Sequence, residues 1–400
     1  MIKKELNSVL VKPSGADCNL GCTYCFYLEK AKLYPNQKIH RMDDETLETL
    51  IRQVLEQSGP NVSFGWQGGE PTLMGLDFFK KVVKLQQKYG VGKTVGNGLQ
   101  TNGFLLNEEW ADFLQEYNWL VGLSMDGPQY IHDHYRRTAA GKPTWEVVSR
   151  HAKMLLDRGV ATNVLSCLTD YSSDHIEEIY NYHKNMGFEF MQFIPIVEPD
   201  KENPRQAASF SLSPEKYGEV LCKLWDLWTA DFVNGVPTTS VRHFDSIFHT
   251  YVGLPAPECT MQKECGVYVA IEHNGDAYAC DFFVDPQWKL GNIKEGRIIN
   301  MLNSKKQHQF GCMKTKLPRK CKSCSYYKHC FGGCTKDRVK DPKDNGMPRF
   351  CASYKMFFEH AHTQLQEMAK NWIQQQIKMD EQAKAQQSGG TYNAFNDFMK

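Results

Sequence analysis

Up to about residue 195, short β-branched and aromatic runs alternate with stretches whose apolar residues recur at i, i+3 and i+4. Strands are predicted at 8–12, 61–66, 94–100, 119–124, 160–168 and 188–193. Between the first two, Leu47, Leu50, Ile51, Val54 and Leu55 share one helical face behind Asp43, a residue type that caps helix N-termini. Asn107 and Thr144 are placed to cap two later helices, and Gly90 and Gly159 stand where helices end. This βα rhythm implies a parallel sheet. Six βα units are fewer than the eight of a closed barrel, so the expected class is α/β with a partial (β/α)6 barrel. A helix follows at 214–234, with Leu221, Leu224, Trp225, Leu227 and Trp228 on its apolar face. Residues 236–258 read as a bridge. Beyond them, alternation over 266–284 around Asn274-Gly275 predicts a hairpin with a two-residue turn. After Cys351 the pattern is helical to about residue 385, and Gln386-Gln387-Ser388-Gly389-Gly390 reads as a flexible link to a short tail. The expected units are therefore 1–235, a bridge at 236–258, a cysteine-rich unit with a small hairpin and helices at 259–370, and a helical or flexible tail at 371–400.

Composition narrows the function classes. The 47 basic and 46 acidic residues nearly cancel, which disfavours nucleic acid as a partner. No apolar run reaches the roughly 18 residues of a membrane span, and the N-terminal segment lacks the features of a signal peptide. The expectation is a cytoplasmic protein with no membrane partner. Fourteen cysteines then demand an explanation, because disulfides are disfavoured in a reducing compartment. Metal or cluster ligation is the leading one.

Cys18, Cys22 and Cys25 follow the first predicted strand, at the sheet edge where βα folds build active sites. Three thiolates can hold three corners of a [4Fe-4S] cube and leave its fourth iron open to a ligand. The run Cys18-Asn19-Leu20-Gly21-Cys22-Thr23-Tyr24-Cys25 resembles the cluster loop of radical S-adenosylmethionine (SAM) enzymes. That resemblance implies SAM on the open iron and its cleavage to a 5′-deoxyadenosyl radical. It also implies SAM contacts from Tyr24, from Gly68, Gly69 and Glu70 of a Gly-Gly-Glu-Pro segment after the second strand, and from Ser124 and Arg136. Glycines admit a close backbone approach, Glu70 suits an ammonium and a guanidinium fork suits a carboxylate. Arg137 is an alternative to Arg136.

The remaining ordered cysteines are Cys259, Cys265, Cys280, Cys321, Cys324, Cys330, Cys334 and Cys351. Eight thiolates suit two cubes or two zinc sites, and spacing does not choose between them. The series resembles the SPASM extension of radical enzymes. This implies one auxiliary [4Fe-4S] cluster on Cys259, Cys265, Cys280 and Cys334, and another on Cys321, Cys324, Cys330 and Cys351. With the first cluster, that makes three. Strand alternation would let Cys280 face a cluster while Asp281 faces an adjoining cavity. With Cys280-Asp281-Phe282, Gln67-Gly68-Gly69-Glu70-Pro71-Thr72 and Gly122-Leu123-Ser124-Met125-Asp126-Gly127-Pro128, nearly the whole chain is similar to anaerobic sulfatase-maturating enzymes.

That similarity implies oxidation of a cysteine or serine in an unfolded or nascent sulfatase polypeptide to Cα-formylglycine. Asp281 would be the base, Tyr27 and Gln67 its polar neighbours, an auxiliary cluster the electron acceptor, and a reduced flavodoxin or ferredoxin the electron donor. A peptide-crosslinking radical enzyme and a non-catalytic electron-transfer or zinc scaffold are the alternatives. Cys167 and Cys222 read as core residues, and Cys312 stands apart.

Overall fold

The computed structural model describes residues 3–203, 206–340 and 346–393, with no side-chain description for 339, 340 and 385–393. Among the described residues, ten strands form one sheet: β1 (Ser8–Lys12), β2 (Asn61–Trp66), β3 (Thr94–Thr101), β4 (Leu120–Ser124), β5 (Thr162–Leu168), β6 (Phe190–Pro195), β7 (Ser240–Val241), β8 (Val269–Glu272), β9 (Asp276–Tyr278) and β10 (Lys289–Asn292). Their order is β10-β9-β8-β1-β2-β3-β4-β5-β6-β7, and every neighbouring pair from β8 to β7 is parallel. The six strands expected from the sequence are thus consecutive neighbours.

Two features differ from expectation. The bridge at 236–258 holds β7, which lengthens the sheet, and a helix, Arg242–Tyr251. The cysteine-rich hairpin does not form its own sheet. Its first strand, β8, lies parallel to β1 with Val9 opposite Val269 and Lys12 opposite Glu272. The chain's first strand and its cysteine-rich half are therefore held together by backbone hydrogen bonds. The hairpin turn also differs: β8 and β9 are joined by His273-Asn274-Gly275, with Gly275 N–H donating to the Glu272 carbonyl at 2.9 Å and Gly275 at φ +86°. A three-residue connection with glycine in the left-handed region fits the strand twist as well as a two-residue one.

Helices α1 (Asp44–Gln57), α2 (Leu76–Tyr89), α3 (Glu108–Glu116), α4 (Gln129–Tyr135) and α5 (Trp145–Asp157) follow the first strands. Leu47, Leu50, Ile51, Val54 and Leu55 of α1 are all buried in the core. Asp43 caps α1 by accepting from Thr46 N at 2.7 Å, and Asn107 caps α3 by accepting from Trp110 N at 3.0 Å. Thr144 occupies the cap position of α5 but does not cap with its side chain. Its hydroxyl donates to the Arg136 carbonyl, and Asp133 from α4 accepts from Thr144 N and Trp145 N instead. A tertiary carboxylate has taken over a local role. The predicted 214–234 helix is Pro214–Ala230, and the last helix runs Cys351–Asn393, through the stretch expected as a flexible link. The tail beyond it lies outside the described residues. No helix of the described residues is long and apolar enough to cross a membrane.

Two buried histidines are held neutral by the fold. Burial, the leading cause, pushes His132 down to about 4 and His183 down to about 3. His132 Nδ1 accepts from Asp126 N at 3.4 Å, so Nε2 carries the proton beside Thr144 Oγ1 at 3.1 Å. Unfolded, both rings titrate near about 6.5. Below that value the unfolded chain binds protons that the folded chain refuses, so stability is full above it and falls on acidification toward pH 4. The expected loss is on the order of 3 kcal/mol per histidine. Urea midpoints measured from about pH 7 to 4.5 should fall steadily, and a flat series would contradict this.

Candidate active site

The site lies at the C-terminal ends of β1, β2, β3 and β4, where the cysteine loop, the glycine pair and the hairpin meet. After Lys12 the chain turns through Ser14 and Gly15 into Cys18, Cys22 and Cys25, all half-buried and unbridged. Gly69 N donates to the Gly15 carbonyl and Glu70 N to the Asp17 carbonyl, each at 2.8 Å. Nothing larger than glycine fits there. A Cβ on Gly69 would lie 2.0 Å from the Asp17 carbonyl oxygen, and Gly68 sits at φ +132° with a Cβ position 2.8 Å from the Gly15 carbonyl oxygen. The close approach that the glycine pair permits in this structure is to the backbone of the cysteine loop.

Glu70 is buried, and both its carboxylate oxygens accept hydrogen bonds. Oε1 accepts from Thr72 N at 3.0 Å, Thr72 Oγ1 at 2.6 Å and Thr101 Oγ1 at 2.8 Å, and Oε2 accepts from Asn102 N at 2.8 Å. Burial, opposed by these donors, pushes its carboxyl up. Oε1 takes three of these donors and Oε2 one, so Glu70 ties the end of β3 to the glycine loop while Oε2 keeps accepting capacity. Asn102 in turn donates to Asn19 Oδ1 at 2.8 Å and approaches Cys18 Sγ at 3.6 Å.

Arg136 and Tyr24 form a second buried group. The Arg136 Nε lies 2.9 Å from Asp126 Oδ2 in an ion pair, out of line for a hydrogen bond, and its guanidinium stacks 5.5 Å from the Tyr24 ring centroid. Tyr24 OH donates to Asp126 Oδ2 at 2.6 Å, and Cys167 N donates to Asp126 Oδ1 at 2.9 Å. Arg136 faces Cys22 electrostatically, whereas Arg137 is exposed and donates to the Gly141 carbonyl. Ser124 Oγ accepts from Gln100 Nε2 at 3.0 Å. Cys167, expected in the apolar core, is only partly buried and has its thiol 3.5 Å from Arg136. Its inward-facing strand position opens onto a charged network. Cys222 is likewise only partly buried, because it lies beside the apolar stripe of its helix, and Cys312 approaches His308 at 3.5 Å.

Asp281 stands at the mouth between the two halves. Gln67, just past β2, donates to Asp281 Oδ2 at 3.2 Å, and Tyr268 OH donates to Oδ1 at 2.7 Å. Tyr27 does not bond Asp281; its hydroxyl donates to Glu272. Nor do Cys280 and Asp281 point apart as strand alternation implied. The strand ends at Tyr278 and Asp281 opens a 3-10 turn, which leaves Cys280 Sγ 3.4 Å from Asp281 Oδ1. Tyr268 carries no sequence signal of this role; the β8–β9 register, fixed in the structure, places it opposite Cys280.

The thiols fit cluster ligation. Cys321, Cys324, Cys330 and Cys351 line one cavity together with Tyr326, Tyr354 and Phe358. Among the described residues, no group of three His, Cys, Asp or Glu side chains closes on a single-ion site. A cube, whose ligands stand at separate corners, requires no such convergence.

The Radical SAM superfamily profile matches residues 13–183, and that of the SPASM iron-sulfur cluster-binding domain matches residues 259–325. A serine-type anaerobic sulfatase-maturating enzyme of Bacteroides thetaiotaomicron is 40% identical over 385 residues, covering 92% of each chain. This chain belongs to the anaerobic sulfatase-maturating enzyme family. Another member, the cysteine-type enzyme of Clostridium perfringens, is 38% identical over 368 residues, covering 91% of this chain and 98% of its own. The solved structure of native anSMEcpe with bound AdoMet and the Cp18Cys peptide superposes with a TM-score of 0.84 over 91% of this chain and 99% of that one, at 38% identity. Streptococcus suis SuiB shares the fold, with a TM-score of 0.60 at 15% identity. As a sulfatase-maturating enzyme family member, the chain is a radical SAM enzyme whose cofactors are SAM and [4Fe-4S] clusters.

Proposed function

We propose that the enzyme converts a cysteine or serine of an unfolded sulfatase segment to Cα-formylglycine, and that Asp281 is its base. The observation that carries this reading is the placement of one carboxylate, held by Gln67 and Tyr268 from opposite halves of the chain, beside a cysteine-rich cluster region. Cys18, Cys22 and Cys25 hold the SAM-binding cluster; Cys259, Cys265, Cys280 and Cys334 hold one auxiliary cluster, and Cys321, Cys324, Cys330 and Cys351 the other. When bound, these groups supply a 5′-deoxyadenosyl radical that takes one hydrogen atom from the target Cβ and an acceptor for the electron left behind. Asp281 takes the remaining thiol or hydroxyl proton, so the substrate loses two hydrogens in all. Serine becomes the aldehyde directly, and cysteine passes through a thioaldehyde that water hydrolyses.

The other residues position. Gln67 and Tyr268 fix the two lone-pair faces of Asp281. Tyr27 stays a phenol, since burial and then Glu272 push its ionisation well up. Arg136 and Ser124 face the methionine carboxylate, with Asp126 and Tyr24 bracing the guanidinium. A reduced flavodoxin or ferredoxin supplies electrons.

The test is an anaerobic reaction of the reconstituted enzyme with matched cysteine- and serine-containing sulfatase peptides, read by mass spectrometry. Serine conversion removes two hydrogens, and cysteine conversion removes two hydrogens and exchanges sulfur for oxygen. An intramolecular crosslink, or 5′-deoxyadenosine without aldehyde, would defeat the reading.

A further inference from the structure

Lys12 closes β1 and is 2% exposed, a rare place for an ammonium. Its Nζ lies 3.7 Å from the centroid of the Tyr27 ring, whose hydroxyl bonds Glu272, the residue opposite Lys12 in the β1–β8 register. Gly68 packs against its stem, where a Cβ would come within 3.2 Å of Lys12 Cβ. The side chain is thereby confined at the seam between the two halves. Gln67, one residue before Gly68, donates to Asp281 Oδ2 at 3.2 Å, and Asp281 Oδ1 lies 3.4 Å from Cys280 Sγ, so the loop against Lys12 leads directly to the Cys280 region; the anionic groups acting on the ammonium are Asp281, Glu272, Cys280 and Cys25. Burial pulls its pKa down, and these groups oppose that and favour the ammonium form.

We propose that Lys12 is the fixed cation that sets the reduction potential of the auxiliary cluster held by Cys280. The inference rests on the assignment of Cys280 as a ligand made above. Adding an electron to a cluster places negative charge in a weakly screened interior, where a neighbouring cation favours the reduced form and a neighbouring carboxylate opposes it. Lys12 is therefore expected to favour the reduced form of the cluster, and Glu272 to oppose it. Lys12 is a positioning residue in this scheme, acting on substrate only through the cluster.

The test is an anaerobic redox titration followed by electron paramagnetic resonance on the fully loaded enzyme and on Lys12→Met, Lys12→Arg and Glu272→Gln. Lys12→Met keeps an unbranched stem over Tyr27 but removes the charge. The one-electron reduction equilibrium of the Cys280 cluster should become at least about tenfold less favourable, a potential roughly 59 mV more negative. The cluster on Cys321, Cys324, Cys330 and Cys351 should stay where it was, which serves as an internal reference. Lys12→Arg should restore most of the shift, and Glu272→Gln should move the same cluster in the opposite direction. An unchanged Cys280-cluster potential in Lys12→Met, or an equal shift of both auxiliary clusters, overturns the proposal. If Lys12→Met loses iron, the absence of a positive shift in Glu272→Gln overturns it alone. Cys280→Ala, expected to lose about four iron atoms per chain, separates a failed ligand assignment from a failed role for Lys12.

Discussion

Asp281→Asn should leave SAM cleavage near normal while formylglycine formation falls by about a hundredfold or more, the range that loss of a general base produces. The substitution preserves shape. An asparagine oxygen still accepts from Tyr268, and rotation of the Gln67 amide lets its oxygen face the new amide nitrogen, so neither partner is left unsatisfied. What disappears is the capacity to accept a proton. The measurement is the ratio of 5′-deoxyadenosine to aldehyde product over a single reaction series. A variant that makes product at the parental rate would remove Asp281 from the chemistry, and a variant that also stops cleaving SAM would make it a structural residue instead.

Gly69→Ala should abolish 5′-deoxyadenosine formation altogether, although Gly69 bears no functional group. The added methyl would meet the Asp17 carbonyl oxygen at 2.0 Å, the Asp17 carbonyl carbon at 2.5 Å and the Ala16 carbonyl carbon at 2.6 Å. All three are backbone atoms and have no rotamer by which to escape. Relief requires moving the segment that leads into Cys18, which breaks the hydrogen bonds from Gly69 N and Glu70 N. Iron should drop from about 12 to about 8 atoms per chain as the three-cysteine site empties, with both auxiliary sites retained. Gly59→Ala is the control, because a Cβ there meets nothing within 4 Å. Full iron content and normal SAM cleavage in Gly69→Ala would show that the loop can relax without this contact.

The candidate site is partly legible in the sequence. Cysteine spacing is a property of one short segment, so Cys18, Cys22 and Cys25 announced their chemistry locally, as did Gly68 and Gly69 by needing no side chain. Gln67 beside Asp281 agreed with the family resemblance. Tyr27 stands close enough to Asp281 to feel its charge, but its hydroxyl bonds Glu272. Glu70, which the resemblance places on the SAM ammonium, also accepts from Thr72, Thr101 and Asn102. A hydrogen-bond inventory depends on neighbours brought from other strands, which no window of residues displays.

The sequence by itself determined the first six strands and the helices between them, since alternation and the i, i+3, i+4 recurrence are read within a few residues, but not β7, β10 or the helix Arg242–Tyr251. Tertiary structure alone decided that β8 would pair with β1, that Asp133 would cap α5 and that Lys12 would lie buried over the Tyr27 ring opposite Glu272. Each of these joins residues from separate elements, and in the case of β1 and β8 from opposite halves of the chain. Such contacts follow from sheet register, and register is chosen by the packing of the whole molecule rather than by any one segment.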